Sequence, residues 1–104
     1  MEPFEALELV NDQTTFLEFV RVLAADRAEG QRLLEAGGGV GFKMPDGTRL
    51  IDCDDNGWRN FTIADFLDAS VAWAEASEFG ARQGISQNPW RQFATFLYCG
   101  KIYE

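Results

Sequence analysis

The chain has 104 residues, of which 17 are acidic, nine are basic and none is histidine, so its formal net charge is −8. This length supports one modest core, and we expect a single domain over residues 1–104. The charge argues against binding to a nucleic-acid backbone, which depends on lysine and arginine. The absence of histidine excludes Ser-His and Cys-His catalysis and histidine-ligated metal sites.

The N-terminus has neither the basic lead nor the apolar run of a secretion signal. No segment reaches the roughly 18 apolar residues of a membrane-spanning helix. We therefore expect a cytoplasmic protein without membrane contact, in which Cys53 and Cys99 stay reduced. No sequence feature indicates a cofactor.

The first principal helix is predicted over residues 13–28. Residues 5–10 before it fit a short helical turn or a strand. Within the helix, Phe16, Phe19, Val20 and Leu23 form an apolar stripe at helical spacing. Gly30 should interrupt it, because glycine is unfavourable inside a helix, and residues 31–36 fit one or two further helical turns.

An insertion over residues 37–56 separates this helix from the next. The sequence Pro45-Asp46-Gly47 is a turn signal between two short mixed runs. It predicts a small β-hairpin or an irregular loop, and a hairpin of this size would need something to pack on.

Two more helices are predicted, over residues 62–79 and 89–99. Thr62 and Asn88 are good N-caps, and Pro89 suits a first helical position. Gly80 and Gly100 should end the two helices, leaving residues 101–104 as a short tail. The expected fold is thus a mainly α, three-helix domain whose core includes Phe16, Phe19, Val20, Leu23, Ile63, Phe66, Leu67, Val71, Trp90, Phe93, Phe96 and Leu97.

The run Asp52-Cys53-Asp54-Asp55-Asn56-Gly57 matches the first half of an EF-hand calcium loop. Asp52, Asp54 and Asn56 would supply the first three ligands. The second half of the loop does not match, because Ile63 stands where a bidentate glutamate is needed. An acidic turn leading into the central helix is the favoured interpretation, with a weak calcium site as the alternative.

No pattern indicates catalysis. Asp65 and Asp68 lie three residues apart, and such a pair could share a proton, but on an acidic protein the spacing is more typical of a solvated helix face. Neither cysteine has a setting that favours the thiolate. A carboxylate-based enzyme therefore remains only an alternative, and we expect a non-enzymatic protein.

The charge distribution and the surplus of aromatic residues favour binding to another protein, one that is basic. Residues 1–79 hold 16 acidic and six basic residues, and an acidic surface speeds encounter with a basic partner. Tryptophan and tyrosine dominate interface hot spots. The candidate partner-binding residues are Asp52, Asp54, Asp55, Trp58, Trp73 and Tyr103.

Three motifs carry a resemblance to a known family. They are Trp58-x-Asn60-x-Thr62-Ile63-x-x-Phe66-Leu67, Asn88-Pro89-Trp90-x-x-Phe93-Ala94 and the C-terminal Gly100-Lys101-Ile102-Tyr103-Glu104. The chain resembles a family of small bacterial proteins of unassigned function, with an apparent insertion between Gly30 and Asp55. The resemblance implies a small standalone cytoplasmic domain and no known reaction. By analogy of size and charge alone, an immunity-type inhibitor of a basic protein is one form that the function could take.

Overall fold

The computed structural model describes residues 1–84 and 87–103. It confirms the mainly α fold and the hairpin within the insertion. The elements in chain order are α1 (Pro3–Glu8), α2 (Gln13–Glu35), β1 (Val40–Lys43), β2 (Arg49–Cys53), α3 (Ile63–Ser77) and α4 (Pro89–Ile102), with one 3-10 turn at Ala81–Gln83.

Helix α2 is continuous from Gln13 to Glu35, so the further turns predicted after Gly30 belong to the same helix. Asp12 caps its start by accepting a 2.8 Å hydrogen bond from the Thr15 N–H, and the helix continues through Gly30 to Glu35. Gly30 is buried, and a Cβ there would collide with the carboxylate of Asp54. The prediction that Gly30 interrupts the helix was wrong, because this glycine makes room for a neighbouring side chain.

Helix α4 lies at the centre and packs on α1, α2 and α3. Its predicted start is confirmed, with Asn88 accepting a 2.9 Å hydrogen bond from the Trp90 N–H and Pro89 in the first turn. Gly100 does not end it. A Cβ on Gly100 would lie 2.8 Å from the Phe66 carbonyl oxygen, so this glycine allows α3 and α4 to approach closely. The helix therefore runs on to Ile102, and Glu104 of the predicted tail lies outside the described residues.

The N-terminal segment belongs to the core. Residues 5–10 are mostly helical, and Ala6, Leu7 and Val10 are buried with Phe19, Leu23, Trp58 and Ala94. The Arg91 guanidinium fixes the end of α1 by donating hydrogen bonds to the carbonyl oxygens of Glu8 and Val10. The core thus centres on α4, where α1 and α2 meet it.

The prediction of the core was wrong for several residues of α3 and α4, which are exposed. Phe19 and Leu23 are buried as expected, and five other members are partly buried. The remaining five are exposed. The three of them on α3 are exposed because α3 turns a different face, formed by Ala69, Ser70, Trp73 and Ser77, toward α4. The exposed members are Ile63, Leu67, Val71, Trp90 and Phe93.

The insertion forms a two-stranded antiparallel hairpin in which Phe42 pairs with Leu50 and Lys43 pairs with Arg49. Gly47 adopts a left-handed φ of 95° at the tip, and the Asp46 carboxylate accepts a 2.9 Å hydrogen bond from the Thr48 N–H. Within the described ranges, neither strand packs along a helix. The hairpin therefore lacks the packing surface that such a small sheet usually needs.

Candidate functional site

An open groove with a volume of about 460 Å³ runs between α2 and the start of α3, with α4 beneath it. It is lined almost entirely by apolar side chains. Arg27, Gln31 and Thr62 are its polar members. The others are Val20, Leu23, Ala24, Ala28, Trp58, Phe61, Ile63, Phe66 and Leu97. A concave apolar surface of this kind is a typical binding site.

Ile63, which lines the groove, begins a row of apolar side chains on α3. Ile63 is 79% exposed and Leu67 is 48% exposed, and Val71 follows at the same four-residue spacing. Residues four apart lie on one face of a helix, so the three side chains form a continuous stripe open to solvent. Sequence reasoning assigned this stripe to the core. The small residues Ala69 and Ser70 were the signal for the face that α4 actually covers.

Aromatic side chains pack between α4 and its neighbours. Phe16 of α2 and Trp90 of α4 lie with ring centroids 5.6 Å apart. Phe93, also on α4, is exposed and contacts Phe79 edge-on at 6.2 Å. Phe79 also stacks on Phe96 at 5.5 Å. These ring contacts join α2 to α4, and join the residues that follow α3 to α4.

One end of the groove is polar, because Arg27 lies there. Asp54 holds the Arg27 guanidinium in place. The carboxylate of Asp54 is fully buried and accepts hydrogen bonds from three groups: the N–H of Asn56 (2.8 Å), the N–H of Trp58 (3.0 Å) and the Arg27 guanidinium (3.2 Å). Arg27 also donates to the Phe61 carbonyl oxygen at 3.3 Å. Asp54 therefore ties the acidic turn to α2 and fixes the guanidinium in the groove.

A second ion pair joins Asp26 and Lys101, which are 75 positions apart in the sequence. The Asp26 carboxylate accepts hydrogen bonds of 2.8 Å from both the Lys101 ammonium and the Trp58 indole N–H. Lys101 is buried and lies over the Trp58 ring, 5.7 Å from its centroid. Neither role was predicted from the sequence, although Lys101 belongs to the C-terminal signature motif.

The side chain of Asn60 binds the C-terminal end of α4. Its side-chain amide donates hydrogen bonds to the carbonyl oxygens of Gly100 (2.8 Å) and Tyr103 (2.9 Å). Because the last carbonyl groups of a helix have no partner within it, Asn60 stabilises the terminus of α4. The signature residues Trp58, Asn60 and Lys101 thus have structural roles.

The six predicted partner-binding residues differ in how far they are exposed to solvent. Asp52 and Asp55 are exposed and Tyr103 is partly buried. The other three, Asp54, Trp58 and Trp73, are buried. Trp73 donates a hydrogen bond to the side chain of Gln83 at 3.1 Å. Trp73 therefore lacks the accessible surface expected of an interface anchor, and Trp58 borders the groove only at its base.

The three candidate calcium ligands have different surroundings. Asp52 is exposed on β2, Asp54 is engaged by protein donors, and the Asn56 amide donates to the Asp26 carbonyl oxygen at 2.9 Å. In residues 1–84 and 87–103, no group of three or more Cys, Asp or Glu side chains is placed to hold a metal ion. A cation bound at Asp54 would have to displace the Arg27 guanidinium.

The structure also shows the surroundings of the carboxylate pair and of the two cysteines that were considered for catalysis. Asp65 and Asp68 border a depression of about 290 Å³ with Asn60 and Tyr103, and both carboxylates belong to exposed residues. Both cysteines are free. Burial raises the pKa of the Cys99 thiol to about 11, which keeps it protonated and poorly nucleophilic near neutral pH.

Comparison with known proteins identifies the family. A model of a family of unknown function, DUF7660, matches residues 12–104. The chain belongs to the DUF7660 family. No curated protein and no solved structure matches this DUF7660 chain significantly. The match begins at Asp12, the cap of α2, so α1 precedes it. Among the described residues of the DUF7660 chain, no helix is both long and apolar enough to cross a membrane.

Proposed function

We propose that this DUF7660 domain is a non-enzymatic protein-binding module that receives an apolar element of a basic partner in the groove between α2 and α3. One observation carries the proposal: the row Ile63, Leu67 and Val71 is open to solvent beside an apolar groove. Exposed apolar side chains are common singly, whereas a grouped set marks an interaction site. Covering it removes apolar surface from water, which contributes about 25 cal/mol per Å² before the entropic cost of association is subtracted.

Charge supports a basic partner. The net charge is −8, and Asp52 and Asp55 are among the acidic residues that remain exposed. Long-range attraction speeds association with a positive partner, and the apolar contact then supplies most of the affinity. Within the groove, Arg27 is neutralised by Asp54, so the apolar part of the partner meets no unpaired charge there.

An immunity-type inhibitor that neutralises a basic protein in the cytoplasm is one form of such a module. Its support is the combination of an acidic exterior with an apolar groove. Two free cysteines, one of them held protonated, suit a reducing compartment.

A designed peptide tests the proposal although the natural partner is not identified. The probe is an amphipathic helical peptide with leucine on one face and lysine on the other, titrated by calorimetry. We expect it to bind the wild-type domain, because a helix with an apolar face is a common occupant of such grooves. The same peptide with glutamate in place of lysine should bind more weakly.

Two variants locate the binding. Ile63→Asp places a charge in the groove and should abolish the heat of binding. Leu9→Asp is the matched control, because Leu9 is 57% exposed at the end of α1, away from the groove. Equal affinity of the wild type and Ile63→Asp for the lysine peptide would contradict the proposal.

A further inference from the structure

The guanidinium of Arg27 is held in place at one end of the apolar groove. It lies over the rings of Trp58 and Phe61, 5.8 and 5.4 Å from their centroids, and all three side chains line the groove. It also donates hydrogen bonds to the Asp54 carboxylate (3.2 Å) and to the Phe61 carbonyl oxygen (3.3 Å). Because these contacts already fix its orientation, the guanidinium has little conformational freedom left to lose when an occupant binds.

Arg27 keeps hydrogen-bond donors that an occupant of the groove can use. A guanidinium has five N–H bonds, and two of those of Arg27 have an acceptor within residues 1–84 and 87–103. The side chain lines the groove and is 21% exposed. Among the described residues that line the groove, Arg27 is the only charged one. The groove therefore favours an apolar occupant that presents hydrogen-bond acceptors at this end.

The buried carboxylate of Asp54 determines which kind of acceptor fits. It already balances the charge of Arg27, and a second carboxylate would be repelled by Asp54 and by a chain of net charge −8. Backbone carbonyl groups accept hydrogen bonds without a full charge. The C-terminal end of an α-helix has about four carbonyl groups without a partner and a partial negative charge. Such an end therefore suits Arg27 better than a carboxylate does.

The position of Arg27 relative to the exposed row on α3 sets the direction of such a helix. The guanidinium binds the carbonyl oxygen of Phe61, two residues before α3 begins at Ile63. From there the row continues through Leu67 to Val71, roughly 12 Å further along the helix at about 1.5 Å per residue. A helix that covers the row with its C-terminal end at Arg27 runs antiparallel to α3. Its negative end then lies at the positive end of α3, which is favourable.

We propose that the groove binds the C-terminal end of an amphipathic helix of the partner. The last carbonyl groups of that helix accept hydrogen bonds from Arg27, and its apolar face covers Ile63, Leu67 and Val71. The inference rests on the proposed function, since it specifies how the partner lies in the same groove. A basic partner is compatible with Arg27, because the lysine face of such a helix points out of the groove.

Nitroxide labels on the lysine peptide test the direction of binding. A peptide of about 14 residues is on the order of 21 Å long as a helix, so its two ends are well separated. One peptide carries the label at its C-terminal end and a second carries it at its N-terminal end, and NMR records the amide signals of the wild-type domain. We expect the C-terminal label to broaden the signal of Phe61 more than that of Val71, and the N-terminal label to do the reverse. The opposite pattern, or one pattern from both labels, would overturn the inference.

The terminal charge of the peptide tests the role of Arg27. The lysine peptide is titrated by calorimetry with a C-terminal carboxamide and with a free C-terminal carboxylate. We expect the wild type to bind the carboxamide more tightly. Asp54→Asn leaves the charge of Arg27 unbalanced, so the ratio of the carboxylate Kd to the carboxamide Kd should fall about 3-fold or more. Asp52→Asn is the matched control, because it removes the same charge from an exposed position and leaves the ion pair intact.

Two results of this titration would contradict the inference. One is an equal ratio in Asp54→Asn and Asp52→Asn, which would show that the C-terminal end does not meet Arg27. The other is a wild type that prefers the carboxylate. Circular dichroism checks that Asp54→Asn is folded, and the label experiment needs no variant.

Failure of the inference and failure of the proposed function give different results. A lysine peptide that binds the wild type and not Ile63→Asp, but with its N-terminal end at Arg27, refutes the direction and leaves the proposed function standing. A lysine peptide that does not bind the wild type refutes both.

Discussion

Replacing Asp54 with alanine should remove a large part of the stability of this domain. The change leaves the N–H groups of Asn56 and Trp58 without their acceptor and leaves the largely buried Arg27 without its counter-ion. Breaking a buried ion pair on one side costs about 3–5 kcal/mol, out of a total of about 5–15 kcal/mol for a small domain. Asp54→Asn should cost less, about 1–3 kcal/mol, because its amide oxygen still accepts from the two N–H groups.

Urea unfolding followed by circular dichroism measures these differences. The matched control is Asp52→Ala, an exposed carboxylate two residues earlier, which should change the free energy of unfolding by less than about 0.5 kcal/mol. The reasoning fails if Asp54→Ala is as stable as Asp52→Ala. It also fails if Asp54→Asn is as destabilised as Asp54→Ala, since the neutral acceptor would then contribute nothing.

The remaining predictions concern helix packing, pH and calcium. Gly100→Ala should destabilise the domain by about 1–3 kcal/mol in urea, despite the helix preference of alanine, because its Cβ would collide with Phe66 of α3; a gain in stability would show that the helices are not so close. The pKa of Cys99 is raised from about 9 to about 11 by burial, so its contribution to stability is intact below pH 9 and is lost as the pH rises toward 11. Cys99→Ala should flatten that decline in the unfolding free energy, and an identical pH profile would disprove the assignment. Millimolar calcium should leave the melting temperature unchanged, because Asp54 is already engaged, whereas a rise would support the EF-hand-like alternative.

The local features of the fold were readable from the sequence. Thr62 accepts a hydrogen bond from the Asp65 N–H as an N-cap should, at 3.0 Å, and Asn88 followed by Pro89 begins α4 as expected. The Pro45-Asp46-Gly47 turn produced a hairpin. These signals depend on neighbours along the chain, so a single sequence contains them.

Features that depend on distant neighbours were not readable. Gly30 and Gly100 resemble helix terminators, yet each lies inside a helix because another side chain or helix approaches there. Helix α3 has two faces that could be buried, and only the position of α4 decides between the stripe at Ile63 and the face at Trp73. The face of α3 with the larger aliphatic residues was predicted to be buried. The face that α4 actually covers contains Ala69 and Ser70, because small residues allow two helices to pack closely.

The same limit applies to the candidate site. The acidic turn at residues 52–57 was recognised in the sequence, but the buried state of Asp54 depends on Arg27, and nothing in the sequence connects these two residues. The groove itself is a consequence of which helix faces meet. No local motif could have indicated it.

Hydroxyl-radical footprinting of Ile63 and Leu67 tests the central claim most directly. The sample is the wild-type domain, measured alone and with saturating lysine peptide. We expect strong modification of both side chains in the free domain and strong protection when the peptide is bound. Weak modification in the free domain would instead place this stripe in the core, and unchanged modification with peptide would show that the groove is not the binding surface.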